Sequence, residues 1–373
     1  MFKVTLEHFK KVKKSDVPGL LWTLLAVLFI LAIIVLPEAV FRGAASGLKA
    51  WLEIVLPGLL PFFIVSEILM KLGFVNFIGV LLEPVMRPLF NVPGAGSFVM
   101  VMGLTSGSPV SSLIIARLRQ QRLCTRVEAE RMLSFTSFCS PVFMLSAVAV
   151  GMLGQPGLGI VIAGSHYFAN IIIGLCLRFY GRGDFEYMPS QKFQGWPVKE
   201  AFRVLLRHQR QEKQPFGEIL GEAVTSSVNK VFNLGGYIIL FSVIIKIFTQ
   251  VGIMQMLAFC LGFILGPLGF SIEILIALAS GIFETTIGAK IACEASTSLI
   301  QKLLAVALML GWSGISVQAQ VASMIAGTDI RLHMFIVTRA AQALLAAFFI
   351  WFLYGPLNLV GNITLPAIIT QLW

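Results

Sequence analysis

The sequence predicts an all-α polytopic membrane protein built from two inverted repeats, each with a re-entrant helical hairpin. Three observations predict it. The 373 residues have a mean hydropathy of +0.88 and only 12% are charged, against about 25% in soluble domains. Two stretches, 97–117 and 271–292, each place short apolar arms around a polar, glycine-bearing tip. Landmarks also recur at a near-constant offset: Pro57-Gly58 with Gly235-Gly236, Gly103 with Gly281, Ser140 with Ser313, and Tyr180-Gly181 with Tyr354-Gly355, always 173 to 178 residues apart.

The amino end carries Lys3, Lys10, Lys11, Lys13 and Lys14, then an apolar run from Gly19 to Leu36. At 18 residues this run is long for a signal-peptide core, and Pro37-Glu38 and many further spans follow. Residues 1–37 therefore read as an uncleaved first transmembrane helix with a cytoplasmic amino end. Glu53 to Leu72 reads as the second span, with Ser66-Glu67 buried in it. Phe74 to Phe90, broken by Glu83-Pro84 and Arg87-Pro88, reads as an interfacial helix.

The first hairpin, 97–117, turns at Gly103-Leu104-Thr105-Ser106-Gly107-Ser108-Pro109. Each arm is too short to span ~30 Å of hydrocarbon at ~1.5 Å per residue. Unwound backbone at that depth is tolerated only inside protein or beside a watery cavity, so the tip is a candidate binding site. Met132 to Leu153 and Leu158 to Leu177 read as spans around the turn Gly154-Gln155-Pro156-Gly157. These complete a first repeat, 45–181. Residues 182–218 read as a basic cytoplasmic loop, with eight Lys or Arg between Arg178 and Lys213.

The second repeat, 219–355, follows the same order. Val231 to Val251 reads as a span, Ile253 to Phe270 as a shorter stretch interrupted at Gly266-Pro267, and 271–292 as the second hairpin. Its tip is Gly281-Ile282-Phe283-Glu284-Thr285-Thr286-Ile287-Gly288. Leu303 to Ile325 and Leu332 to Tyr354 read as the last two spans, and 356–373 as an apolar tail too broken to cross.

Charge sets the orientation. The net charge of +10 does not indicate nucleic acid, because the basic residues flank apolar spans instead of gathering on one face. Three full crossings per repeat invert the second copy, so its hairpin enters from the opposite side. Only Arg42, Lys49, Lys290 and Lys302 then fall outside. Inverted repeats with broken elements are the signature of a secondary transporter with its site at the midplane. The five cysteines lack metal-ligand spacing and the four histidines are scattered, so neither a metal, a cofactor nor a disulfide framework is expected. No catalytic constellation is present, which excludes an enzyme.

The tip sequence, the Ser137-Phe138-Cys139-Ser140-Pro141 start of the next span and the paired second half resemble the nucleoside-recognition Gate domain family, related to the concentrative nucleoside transporters. The resemblance covers residues 45–355 and implies a concentrative-nucleoside-transporter-like fold, trimeric in relatives. As a whole the chain resembles the sporulation branch of that family, in endospore-forming bacteria. That implies movement of dipicolinic acid from the mother cell across the outer forespore membrane. Nucleoside carriers of the related family place a Gln and a Glu at the first tip, where this chain has only Thr105, Ser106 and Ser108. The departure argues against a nucleoside and against sodium coupling, and for a negatively charged ligand.

Dipicolinate is a flat dianion, and half-helix amino ends at Pro109-Val110-Ser111-Ser112 and Thr286-Ile287-Gly288 suit it. The expected substrate site is Thr105, Ser106, Gly107, Ser108, Ser111 and Ser140 from the first repeat, with Glu284, Thr285, Thr286, Ser313, Gln318 and Arg339 from the second. Arg339 stands among apolar neighbours, where insertion costs roughly 3 kcal/mol and implies a partner or a cavity. Its planar fork suits a carboxylate, from substrate or from Glu284 or Glu67. The alternatives are an ion-coupled nucleoside carrier and a non-transporting scaffold of the sporulation machinery.

Overall fold

In this computed structural model the described residues are 17–181, 183, 186, 197–211 and 214–359. The amino-terminal lysines, most of 182–196 and the tail beyond 359 lie outside them. The described residues are helical with no strand among them. In chain order the helices are α1 (Val17–Val35), α2 (Pro37–Lys71), α3 (Phe74–Phe90), α4 (Ala95–Ser106), α5 (Ser108–Gln120), α6 (Arg126–Phe135), α7 (Phe143–Met152) and α8 (Leu158–Leu177). There follow α9 (Pro197–Gln211), α10 (Phe216–Gln250), α11 (Ile253–Leu265), α12 (Ile272–Phe283), α13 (Thr285–Glu294), α14 (Leu299–Trp312), α15 (Gly314–Ile325) and α16 (His333–Leu359).

Two long helices form the spine. The second span begins at Pro37, not Glu53: proline stands at its first turn, and a wide π turn at Trp51–Val55 carries the helix through to Lys71. Glu53 faces out and so does not interrupt it. Its counterpart α10 begins at Phe216, not Val231. Ile219, Ala223, Ser227 and Val231, spaced by four, give this polar portion a continuous buried stripe. Each helix has 35 residues, and they run antiparallel, Gly43 against Val243 and Gly47 against Ile239. A Cβ on Gly43 or Gly47 would sit 2.9 Å from the opposing Cα, so only glycine permits this approach. Ser242 donates to the Gly43 carbonyl (2.8 Å) and the Trp51 indole to the Val231 carbonyl (2.9 Å). Equivalent helices of two repeats lying antiparallel is the geometry of inverted copies.

The segment expected as a loop contains α9, which packs on α3 through Phe202 and Phe77, ring centroids 5.0 Å apart. The Met132–Leu153 span is also corrected: it is broken at 136–140 into α6 and α7. The second-repeat counterpart is broken at Ser313, which takes φ +68° between α14 and α15. Among the described residues, both hairpins and both of the spans that follow them are thus broken. Helices α3 and α4 are bent by 103° across residues 91–94, which turns the chain into the first hairpin.

Candidate functional site

The first hairpin breaks at Gly107, whose φ +81° and ψ −178° fall in a region open essentially to glycine alone. This tip is docked on the break that follows α6. Ser108 donates its hydroxyl to the Phe138 carbonyl (2.9 Å), and a Cβ on Gly103 would lie 2.3 Å from the Thr136 carbonyl oxygen. The second hairpin breaks at Glu284 and docks on the break between α14 and α15. The Trp312 indole donates to the Ile282 carbonyl (3.1 Å), and Gly314 approaches Thr285. Its two arms cross where Gly288 meets the Gly281 backbone. The repeats then interlock: α5 packs along α15, and α13 along α7. Both tips and both breaks therefore form one assembly.

Most of the expected hydroxyls are already used by the protein. Thr105 bonds back to the Val101 carbonyl (3.0 Å) and Ser111 to that of Ser108 (3.0 Å). Ser140 accepts from the Phe143 N–H (3.2 Å), capping the helix after the break, and Ser313 donates to Leu310 (3.3 Å). Gln318 covers the Trp312 carbonyl (3.1 Å) left open by the second break. Gln320, two residues on, is buried as well and bonds back to Ser316 (3.3 Å). The Ser106 side chain lies outside the described ones. Thr285 differs: its hydroxyl is buried at the amino end of α13 with no partner.

Glu284 does not meet the Arg339 fork. It caps α13, its Oε2 accepting from the Ile287 N–H (2.7 Å). Glu284→Gln keeps an acceptor there and is expected to preserve both melting temperature and flux. Glu284→Ala leaves the buried N–H bare and is expected to cost about 1 kcal/mol of stability. A proton-coupling acid would instead lose flux equally in both variants.

Arg339 is fully buried on α16. The expectation that Glu284 or Glu67 meets its fork is corrected. Nη1 donates to the Ser137 carbonyl (2.7 Å), Nη2 to the Ser134 carbonyl and to Asn170 Oδ1 (3.3 Å), and the guanidinium lies over the Phe335 ring. The reason is local: the break strands carbonyls at the end of α6, and this side chain reaches them. Glu67 is taken by Lys230 instead. Asn170 and His166, one turn apart on α8, support the arrangement. His166 Nε2 accepts from the Cys139 N–H (3.1 Å), and Gln342, one turn after Arg339, meets the His166 ring at 3.2 Å. The Arg339–Gln342 spacing of three in an apolar helix is the signal that would have found Gln342 in the sequence.

The outer end of the first hairpin is clamped to the loop between α15 and α16. Arg119 makes two 2.8 Å bonds to the Asp329 carboxylate and one of 2.6 Å to Glu186. Beside it, buried Glu130 on α6 accepts from Arg331 (2.8 and 3.1 Å) and from the Tyr180 hydroxyl (2.8 Å). The hydrogen bonds from Arg119 hold Asp329 and Glu186 below their ordinary carboxylate values. Burial pushes Glu130 up, but the bonds from Arg331 and Tyr180 outweigh it, and its carboxyl also sits low. No sequence signal links residues 210 apart such as Arg119 and Asp329.

This hairpin-and-break arrangement has known counterparts. The family profile described as "Gate: Nucleoside recognition" matches residues 52–156 and 231–350, more than half the chain and both hairpins. The chain belongs to the nucleoside-recognition Gate family. This Gate protein is 45% identical over 322 residues to the sporulation integral membrane protein YlbJ of Bacillus subtilis (strain 168), covering 86% of this chain and 79% of that one. In fold it is similar to CNTnw in an inward-facing substrate-bound state (TM-score 0.53, 12% identity, 90% of this chain and 85% of that one). A variant of CNTnw in an outward-facing state gives 0.50 at 12% identity, over 92% and 85%. The Gate protein is thus an all-helical integral membrane protein with a concentrative-nucleoside-transporter-like fold.

Proposed function

We propose that this protein transports dipicolinic acid, a small aromatic dicarboxylate, from the mother cell across the outer forespore membrane, exposing a site between the hairpin tips to each side in turn. The observation that carries the reading is the charge balance of the tip assembly. Arg339 brings a fully buried positive charge to the break on which the first tip rests, and among the described residues no carboxylate pairs with it. A buried charge balanced only by dipoles favours an anion nearby. The one tip acid, Glu284, is occupied by its own helix cap. At the second tip the Thr285 hydroxyl is a free donor, beside the amino end of α13. The ligand meets the two tips, with Arg339 acting through its charge from behind the break.

In this proposal the residues between 182 and 218 face the cytoplasm, net flux runs away from them, and the chain assembles as a trimer, as in the related fold. The relatives described by nucleoside recognition supply the competing substrate. The test is flux of labelled dipicolinate into liposomes carrying the purified protein. We expect saturable dipicolinate flux, and a loss of about tenfold in Thr285→Val, the ~1.4 kcal/mol of one hydrogen bond. Sodium-dependent uridine uptake without dipicolinate flux would assign a nucleoside carrier instead. Absence of flux for both, with sporulation insensitive to tip variants, would point to a scaffold.

A further inference from the structure

The break between α6 and α7 leaves backbone carbonyls at membrane depth, and each such group needs a donor or a cation. In transporters with discontinuous helices, unwound carbonyls and half-helix carboxyl ends are where a coupling cation binds. Here the donors come from the chain itself. The Ser137 hydroxyl covers the Leu133 carbonyl (2.6 Å), Ser108 covers Phe138 (2.9 Å) and the Tyr167 hydroxyl reaches Cys139 (3.4 Å). Of the carbonyls between, the Phe138 N–H covers Thr136 (2.9 Å) and Arg339 covers Ser134 and Ser137. Only this last donor carries charge. It comes from the second repeat, its head is wholly buried, and Asn170 steadies it from α8. A guanidinium spanning two carbonyls supplies the positive charge and the oxygen contacts that a bound alkali ion would supply.

We propose that Arg339 is a tethered cation that occupies the break permanently, so that this transporter moves its substrate without a coupling sodium ion. The inference rests on the transport reading for its consequence, but not for its first test. A wild-type protein with no sodium site has the same melting temperature in sodium chloride, potassium chloride and choline chloride. A bound coupling ion would raise it in sodium alone, through linkage. Arg339→Ala removes the cation and leaves the carbonyls in place. Its melting temperature is expected to fall, and millimolar guanidinium, far below denaturing levels, is expected to restore part of it, with urea giving no recovery.

If that variant does not fold, Arg339→Lys retains a charge with a single donor head and is expected to melt between wild type and unfolded. In liposomes, imposing a sodium gradient in either direction is expected to leave the initial flux of labelled dipicolinate unchanged. A sodium-specific rise in wild-type melting temperature, or a flux that follows the sodium gradient, would overturn the inference. Because the melting measurements use no substrate, failure of dipicolinate flux alone counts against the substrate and leaves the tethered cation standing.

Discussion

Replacing Gly103 by alanine is expected to abolish transport while the protein still reaches the membrane. The added Cβ would sit 2.3 Å from the Thr136 carbonyl oxygen and 3.1 Å from the Phe138 ring. The first of these atoms is backbone, in a segment pinned by Arg339 and Ser108, so it cannot swing aside. The first tip must then lift off the break, losing the Ser108–Phe138 bond. Overpacking of this kind costs about 3 kcal/mol. The measurements are melting temperature in detergent and flux in liposomes. Gly164→Ala is the control: it lies mid-helix in α8, where an added Cβ meets nothing within 4 Å, and is expected to match wild type. Wild-type flux in Gly103→Ala would mean that tip docking is not required for transport.

Removing Glu130 is expected to release the clamp between the repeats. Its side chain is fully buried while Arg331 is 47% exposed, so Glu130→Ala lets the guanidinium return to water. The expected loss is about 2 kcal/mol, below that of a wholly buried pair. Acid should have a parallel effect. Glu130, Glu186 and Asp329 all titrate below their ordinary values when folded. Their contribution is therefore complete above the ordinary glutamate value of 4.5 and is lost as pH falls through the lower folded values. Melting temperature measured between pH 7 and pH 3 should hold level and then fall, with a shallower acid limb in Glu130→Ala. An unchanged acid limb in the variant would remove Glu130 from the clamp.

Local rules made the hairpins legible. Gly107 and Pro109 punctuate one tip and Glu284-Thr285-Thr286 the other, and the helices break inside both stretches. The spans expected from Glu53 and from Val231 begin earlier, at Pro37 and Phe216. Polar residues between 216 and 230 hid the first half of α10, because a four-residue buried stripe is faint beside its exposed glutamates and half-buried Lys230. Glu53 masked the first half of α2 in the same way. The break at 136–140 contains neither glycine nor proline, Pro141 standing just after it, and partners elsewhere in the chain hold it open.

By itself the sequence determined the membrane class and the paired hairpins, because hydropathy, glycine and proline act over a few residues, while the family followed from the resemblance of the tip and span-start motifs. The partners of the polar groups were decided only in the tertiary structure. Arg339 suited a carboxylate by its chemistry, and its protein partners are backbone carbonyls of the other repeat. Glu284 looked like an interhelical partner and is a cap. A side chain's chemistry says what it can bind, but its partner depends on which stranded carbonyl or N–H the packing of distant helices brings within 3 Å, and no local pattern encodes that.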